Sequence, residues 1–269
     1  MTTGTRLLSG LGSALVSLAT VVALWYLLIA AAHGNALVTK DPVDVFRYLF
    51  TGPDAGSHLH TIGAQLRVTL RDAAVGYLVG TAVAVVVACL FVLVRSVEQT
   101  FMPMIMVMRT TPVVAMAPLL TLLFGHGLLT VTVICTVIVF FPTLVNMTFG
   151  LRSAPPESLD LMDSYGAGRL MTLRKVRLPS ALPAFFASAH IAVPSAMIGA
   201  LVAEWLATGN GMGYQMLIST TTFDYAGLWT SVVVLTVVTV AIYSLVGIVE
   251  SAVVGRVMPV QKSNEDRAV

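Results

Sequence analysis

Among the ionisable side chains within or at the ends of long apolar runs are Arg109, His126, His190 and Glu204. A charge at the centre of a bilayer costs about 2.5–3.5 kcal/mol on insertion scales, so each group needs a partner, water or a task. One such task is proton relay, the chemistry of a proton-coupled secondary carrier. Carriers of that class are often built from inverted repeats with broken helices in matching halves, and no such repeat is visible in this sequence. Arg109 is open to two readings, snorkelling to the nearer interface or lying on a solute pathway or subunit interface. Glu204 either caps the segment that follows it, Trp205 to Tyr214, or faces the pathway; it is not expected to ligate an anion. His126 and His190 read first as hydrogen-bonded structural residues. The candidate pathway or interface residues are therefore Arg109, Glu204 and His126.

Other chemistries are weaker. His58 and His60 lack the nearby cysteine or carboxylate cluster that a metal site needs, so they read as solvated loop histidines, and no metal ligand or catalytic residue is expected. Gly209, Gly211 and Gly213 form a G-x-G-x-G run that follows an apolar stretch rather than a strand, which predicts a tight re-entrant turn and not a dinucleotide site. No G-x-x-x-x-G-K-[ST] sequence occurs, so no cofactor is expected on the chain and ATP would have to be bound by a partner. Cys89 and Cys135 lie inside apolar runs and suggest neither a disulfide nor a metal site. Trp25, Trp205, Trp229 and Tyr214 are placed as interfacial aromatics would be.

The elements that must carry these residues follow from composition. Hydrophobic residues make up 57% of the chain and charged residues 10%, against about 25% charged in an average soluble domain. The apolar residues gather in runs of about 20, the length that crosses a hydrocarbon core as a helix. Barrel strands would alternate over about 10 residues instead. The expected fold is an all-α integral membrane protein, a single transmembrane domain over residues 1–269 with six spans: Leu11 to Ala32, Ala73 to Val94, Met102 to Phe124, Leu128 to Phe149, Ala184 to Ala203 and Leu228 to Val254. The first run is longer than a signal-peptide core of 7–15 residues and reads as an uncleaved span.

Orientation follows the excess of Lys and Arg on the cytoplasmic side. With the N-terminus inside, the inner segments hold Arg6, Arg95, Arg152, Arg169, Arg174, Lys175, Arg177, Arg256, Lys262 and Arg267. The outer segments hold only Lys40, Arg47, Arg67 and Arg71. Both termini are thus expected in the cytoplasm. The outer segments His33 to Asp72 and Glu204 to Gly227 are expected to be irregular, and the longest inner loop runs from Gly150 to Pro183.

In that inner loop Pro155-Pro156-Glu157-Ser158 supplies a helix start, with proline tolerated in the first turn and an acid favoured by the helix dipole. Gly166 is placed to close the helix in a left-handed conformation. A second helical arm follows, with Leu170, Leu173 and Val176 along one side and Arg169, Arg174, Lys175 and Arg177 supplying charge, and Leu178-Pro179 is expected to stop it. The loop therefore reads as a helical hairpin with an exposed apolar edge.

Asp160, Leu161, Met162, Gly166, Val176, Leu178 and Pro179 occupy the offsets of a family signature, and on them the chain resembles the permeases of binding-protein-dependent ABC transporters. Leu161 and Met162 stand where the family usually has small residues. The resemblance covers roughly His60 to Gly255. It is similar to the nitrate, sulfonate and taurine branch through Arg109-Thr-Thr-Pro112, Ala117-Pro118-Leu119, Phe124-Gly125-His126-Gly127, Phe141-Pro142, Leu178-Pro-Ser-Ala-Leu-Pro183, Ala203-Glu204 and Gly211-Met-Gly213-Tyr214. It implies a type I importer fold in which the hairpin is the coupling helix docked in a groove of a cytoplasmic ATPase. It also implies a homodimer in the prokaryotic inner membrane, two ATPase subunits and an extracytoplasmic solute-binding protein. The implied solute is a small anion or a thiamine-precursor-like pyrimidine.

Overall fold

A computed structural model of the chain describes residues 3–31 and 37–257. Ala32 and His33, where the first span was expected to give way to the outer segment, lie outside the described residues, as do Lys262 and Arg267.

All regular structure among the described residues is helical. The chain begins with α1 (Thr3–Ala31), α2 (Pro42–Phe46) continued by a wide π turn over Arg47–Thr51, and α3 (Ala55–Leu93). There follow α4 (Arg95–Arg109), α5 (Val113–Phe124), α6 (Leu128–Arg152), α7 (Pro156–Ser164), α8 (Arg169–Thr172) with a π turn over Leu173–Arg177, and the short α9 (Leu178–Ser180). The last elements are α10 (Leu182–Ala203), extended by a π turn over Glu204–Thr208, then α11 (Met212–Thr221) and α12 (Tyr225–Val257). Among the described residues four helical stretches are long and apolar enough to cross a membrane: α3, α6, Leu182–Thr208 and Tyr225–Arg256. The bent pair α4 and α5 makes a fifth if it counts as one span. In α1 the apolar stretch is Ala19–Ala31.

The helices depart from the expected spans in ways with physical causes. The segment expected to be irregular up to Asp72 is helical from Ala55 onward, where α3 starts. Polar residues there share one helix with the apolar run, and Arg71 and Asp72 neutralise each other at 2.8 Å. His58 and His60 are accordingly helical residues. The expected single span Met102 to Phe124 is two helices that meet at 101°. Pro112 lacks an N–H and biases Thr111 away from helical geometry, so α4 ends at Arg109 and α5 starts afresh at Val113. The segment after Glu204 is also largely helical, a π turn followed by α11.

Leu178-Pro179 does not stop the second arm of the hairpin. The Leu178 N–H bonds back to the Leu173 carbonyl across the widened turn, and Pro179 then sits in the first turn of α9, where no N–H is required of it. The break falls at Ala181 instead.

Two compact units emerge, Met1–Ala64 with Gln215–Val234, and Gln65–Tyr214 with Leu235–Val269. The first is held by aromatic and polar contacts. Trp25 stacks on Trp229 at 5.5 Å, and Trp229 donates its indole N–H to the Val38 carbonyl at 2.9 Å. His58 stacks on Tyr48 at 3.8 Å and its Nδ1 lies 3.1 Å from the Tyr48 carbonyl, so it is a packed histidine rather than a solvated one. Tyr48 donates to Asp224 at 3.0 Å, and burial together with the Asp224 carboxylate pushes the phenol well above its usual range. Asp41 and Asp44 cap α2 reciprocally.

The larger unit is built around α6 and α10, whose backbones approach closely because small residues line the contact. A side chain at Gly199 would stand 3.1 Å from the Cys135 Cα, and one at Gly80 of α3 would stand 3.0 Å from the Val139 Cβ. A core of Ala84, Ala88 and Phe91 from α3 and Leu144, Met147 and Leu151 from α6 also takes in Leu173 and Ala181. That core is the root of the hairpin.

Candidate functional site

The hairpin is shaped by its glycine. Helix α7 starts at Pro156 with Glu157 in its first turn and ends in a left-handed Gly166 at φ +66°. The Gly166 N–H donates to the Asp163 carbonyl and the Ala167 N–H to the Met162 carbonyl, both at 2.9 Å, the paired bonds of a Schellman cap. The reversal leaves Leu161 at 56% exposed, Tyr165 at 81%, Leu170 at 60% and Met171 at 50%. Met162 and Val176 are half-buried, and Asp160 is exposed. Leu173, expected on the exposed edge, is instead buried in the core with α3 and α6. Arg177 adds a bond from Nη1 to the Leu151 carbonyl at 3.0 Å. The exposed tip is thus tied at its base to two membrane helices.

A second polar centre lies at the start of α11. Three successive N–H groups there are each capped by a side chain: Gly211 by Gln65 Oε1 at 2.8 Å, Met212 by Thr69 Oγ1 at 2.9 Å and Gly213 by Glu204 Oε2 at 2.7 Å. Glu204 is wholly buried, and its Oε1 has no hydrogen-bond partner among the described residues. Gly211 holds φ +93° and a side chain there would fall on the Glu204 carboxylate, so the turn is built for glycine.

The remaining candidates are scattered. Arg109 is the exposed last residue of α4, at the 101° bend, with no ion-pair partner among the described residues. His126 bonds through Nδ1 with the Ala207 carbonyl. His190 pairs with Glu250 at 2.9 Å and packs against Tyr243. Cys89 and Cys135 are both free thiols.

Residues 76–258 match the family model described as "Binding-protein-dependent transport system inner membrane component". The chain belongs to that family. A "Probable ABC transporter permease protein" of Haemophilus influenzae is 32% identical over 73% of this chain and 82% of its own length. The "Formylaminopyrimidine transport permease protein ThiX" of Halalkalibacterium halodurans is 31% identical over 64% of this chain and 68% of its own. The "Putative aliphatic sulfonates transport permease protein SsuC" of Bacillus subtilis is 24% identical over 74% of this chain and 71% of its own. Among solved structures, the inward-facing MetNI methionine ABC transporter matches with a TM-score of 0.58 and 20% identity over 77% of this chain and 99% of that one, a likeness of fold.

In this ABC transporter permease the matched region holds both arms of the hairpin and the Glu204 centre. The structure brings Asp160, Leu161, Met162 and Gly166 together on one arm and Val176, Leu178 and Pro179 on the other. It does not gather Arg109, His126 and Glu204 into one cluster of mutual hydrogen bonds or ion pairs among the described residues. Sequence reasoning missed Tyr165 and Met171 on the exposed tip, and Gln65 and Thr69 as caps. The spacing of Gln65, Thr69 and Asp72 puts them on one helix face in front of an apolar run, but nothing in it names the N–H groups they cap.

Proposed function

We propose that this permease forms a homodimer of six-span subunits with both termini in the cytoplasm, a single transmembrane domain whose core is residues 60–255 and whose coupling loop is 150–183. Two ATPase subunits bind the loops, and an extracytoplasmic solute-binding protein delivers a small solute. The observation that carries this reading is the hairpin: an apolar tip of Leu161, Tyr165, Leu170 and Met171 exposed on a base that Leu173 anchors to α3 and α6. Asp160, Met162, Gly166, Val176, Leu178 and Pro179 complete the docking element. An apolar tip is what a partner groove stabilises, and an anchored base is what transmits the partner's movement.

ATP, bound by the partner, closes the ATPases and draws the two hairpins together. The membrane helices then open outward, and hydrolysis resets them. Glu204 holds the start of α11 in shape, with His126 bracing the Ala207 carbonyl, while Arg109, exposed at the α4–α5 bend, meets the solute or the second subunit. The solute class is a small anion or a thiamine-precursor-like pyrimidine, in keeping with the names of SsuC and ThiX. A proton-coupled secondary carrier gains no support from the family.

The test is reconstitution of the chain in proteoliposomes with the ATPase and binding protein of its own operon, after a thermal-shift ligand screen on that binding protein. Uptake should need ATP and the loaded binding protein. Uptake driven by a proton gradient with the ATPase absent would overturn the reading.

A further inference from the structure

A cavity of about 780 Å³ lies between the end of α3, the first turns of α4, the end of α6 and α7. Its charged lining is unbalanced, with Arg95, Arg152 and Arg177 against the single carboxylate of Glu98. Glu98, in the first turn of α4, is almost fully buried and pairs with Arg152, in the last turn of α6, so each sits at the helix end that favours its charge. Arg177 is held by the Leu151 carbonyl at 3.0 Å. Arg95 is exposed and has no ion-pair partner among the described residues. Glu98 is taken up by Arg152, so the cavity keeps an excess of positive charge on Arg95 and Arg177, and Arg177 is braced by a carbonyl outside it.

Apart from Gln99 the rest of the lining is apolar and includes Phe91, Met102 and Met106. A small hydrated anion gains nothing from such a wall, and an apolar solute gains nothing from the arginines. An amphiphile with a phosphate at one end uses both. The position agrees, because Arg95 follows directly on the apolar run of α3 and Arg152 ends that of α6, the level at which headgroups lie. The size falls within the roughly 300–1,000 Å³ of ordinary ligand sites.

We infer that this cavity is a binding site for the phosphate headgroup of an anionic phospholipid, phosphatidylglycerol or a related lipid, with an acyl chain along the Met102 and Met106 wall. Basic pockets between membrane helices on the cytoplasmic side take such headgroups. The placement in the inner leaflet rests on the topology proposed above. Because Leu159 of α7 also lines the cavity, an occupied site braces one arm of the hairpin against α4.

The full chain, co-purified with its ATPase in nanodiscs, tests this by native mass spectrometry of retained lipid. Discs of mixed phosphatidylglycerol and phosphatidylcholine should yield a complex enriched in phosphatidylglycerol. Arg95→Gln, at an exposed position outside the Glu98 and Arg152 pair, should cut that enrichment roughly fivefold, the worth of one basic residue at an anionic surface. Arg95→Lys should largely restore it, and Arg67→Gln, on an exposed residue elsewhere on α3, should leave it unchanged. Equal retention of both lipids, or enrichment that ignores Arg95, overturns the site. Pure phosphatidylcholine discs in which inorganic phosphate raises the melting temperature as much as phosphatidylglycerol does would show a soluble-anion site instead and overturn the lipid. Nanodiscs present both leaflets alike, so this result is independent of topology. A single cysteine at Ser96 that labels only from outside would displace the leaflet assignment and leave the lipid preference standing.

Discussion

Gly213 donates its backbone N–H to the Glu204 carboxylate at 2.7 Å, and that carboxylate is wholly buried against the turn it caps. With Gln65 and Thr69 it leaves none of the N–H groups of residues 211–213 unpaired, as a buried helix start demands. Replacing Glu204 by Gln retains an acceptor of nearly the same shape, so the variant should keep most of its thermal stability and transport. Glu204→Ala orphans the Gly213 N–H, at a cost of about 1–3 kcal/mol, and opens a cavity in addition. Its melting temperature in detergent should fall clearly below that of the Gln variant. If Gln were as damaging as Ala while both still folded, the charge itself would be needed, and Glu204 would belong to the pathway.

Gly166 offers a test of backbone alone. A side chain there meets open space, so the only obstacle is its φ of +66°. A β-branched residue pays about 1–2 kcal/mol for that conformation, whereas asparagine adopts it readily. Gly166→Val should reach the membrane and lose coupled uptake, and Gly166→Asn should transport. Normal binding-protein-dependent uptake by the Val variant, measured with radiolabelled solute, would mean that the hairpin is not the coupling element.

The hairpin was legible from sequence because its signals are local: a proline pair with an acid to start α7 and a glycine to end it. The limits of the spans were less so. A hydropathy reading stops α3 at its charges, yet the helix continues through Arg71 and Asp72, which pair with each other. It also runs through Pro112, because averaging over a window hides the one residue that turns α4 into α5 by 101°. The caps on α11 were illegible for another reason. Gln65 and Thr69 reach residues 146 and 143 positions away, and no local pattern encodes such a pairing.

Topology is open to direct measurement. On a background with Cys89 and Cys135 replaced, single cysteines at Ser158 and Ser263 should react with an impermeant maleimide only from the cytoplasm, and one at Ser57 only from outside. Ser57 is exposed and Ser158 half-buried, so both are within reach of the reagent. Labelling of Ser57 and Ser158 from the same side would overturn the six-span arrangement.

Docking of the ATPase should depend on the apolar tip of the hairpin more than on its charges. Arg174 is exposed and without an ion-pair partner among the described residues, and exposed pairs are worth less than about 1 kcal/mol. Moving a Leu or Met side chain from water into a partner's groove contributes roughly 1.5–3 kcal/mol. Leu161 at 56% exposed has most of that burial still to gain, and Tyr165 at 81% has more. Leu161→Asp combined with Met162→Asp should therefore release the ATPase on co-purification or abolish binding-protein-stimulated hydrolysis. Neither position belongs to the buried core around Leu173, so the permease itself should still fold and insert. Arg174→Gln should change hydrolysis modestly and in a salt-dependent way. Retention of both properties by the Asp pair together with their loss in Arg174→Gln would make electrostatics the docking force and move the contact from the tip to the basic arm.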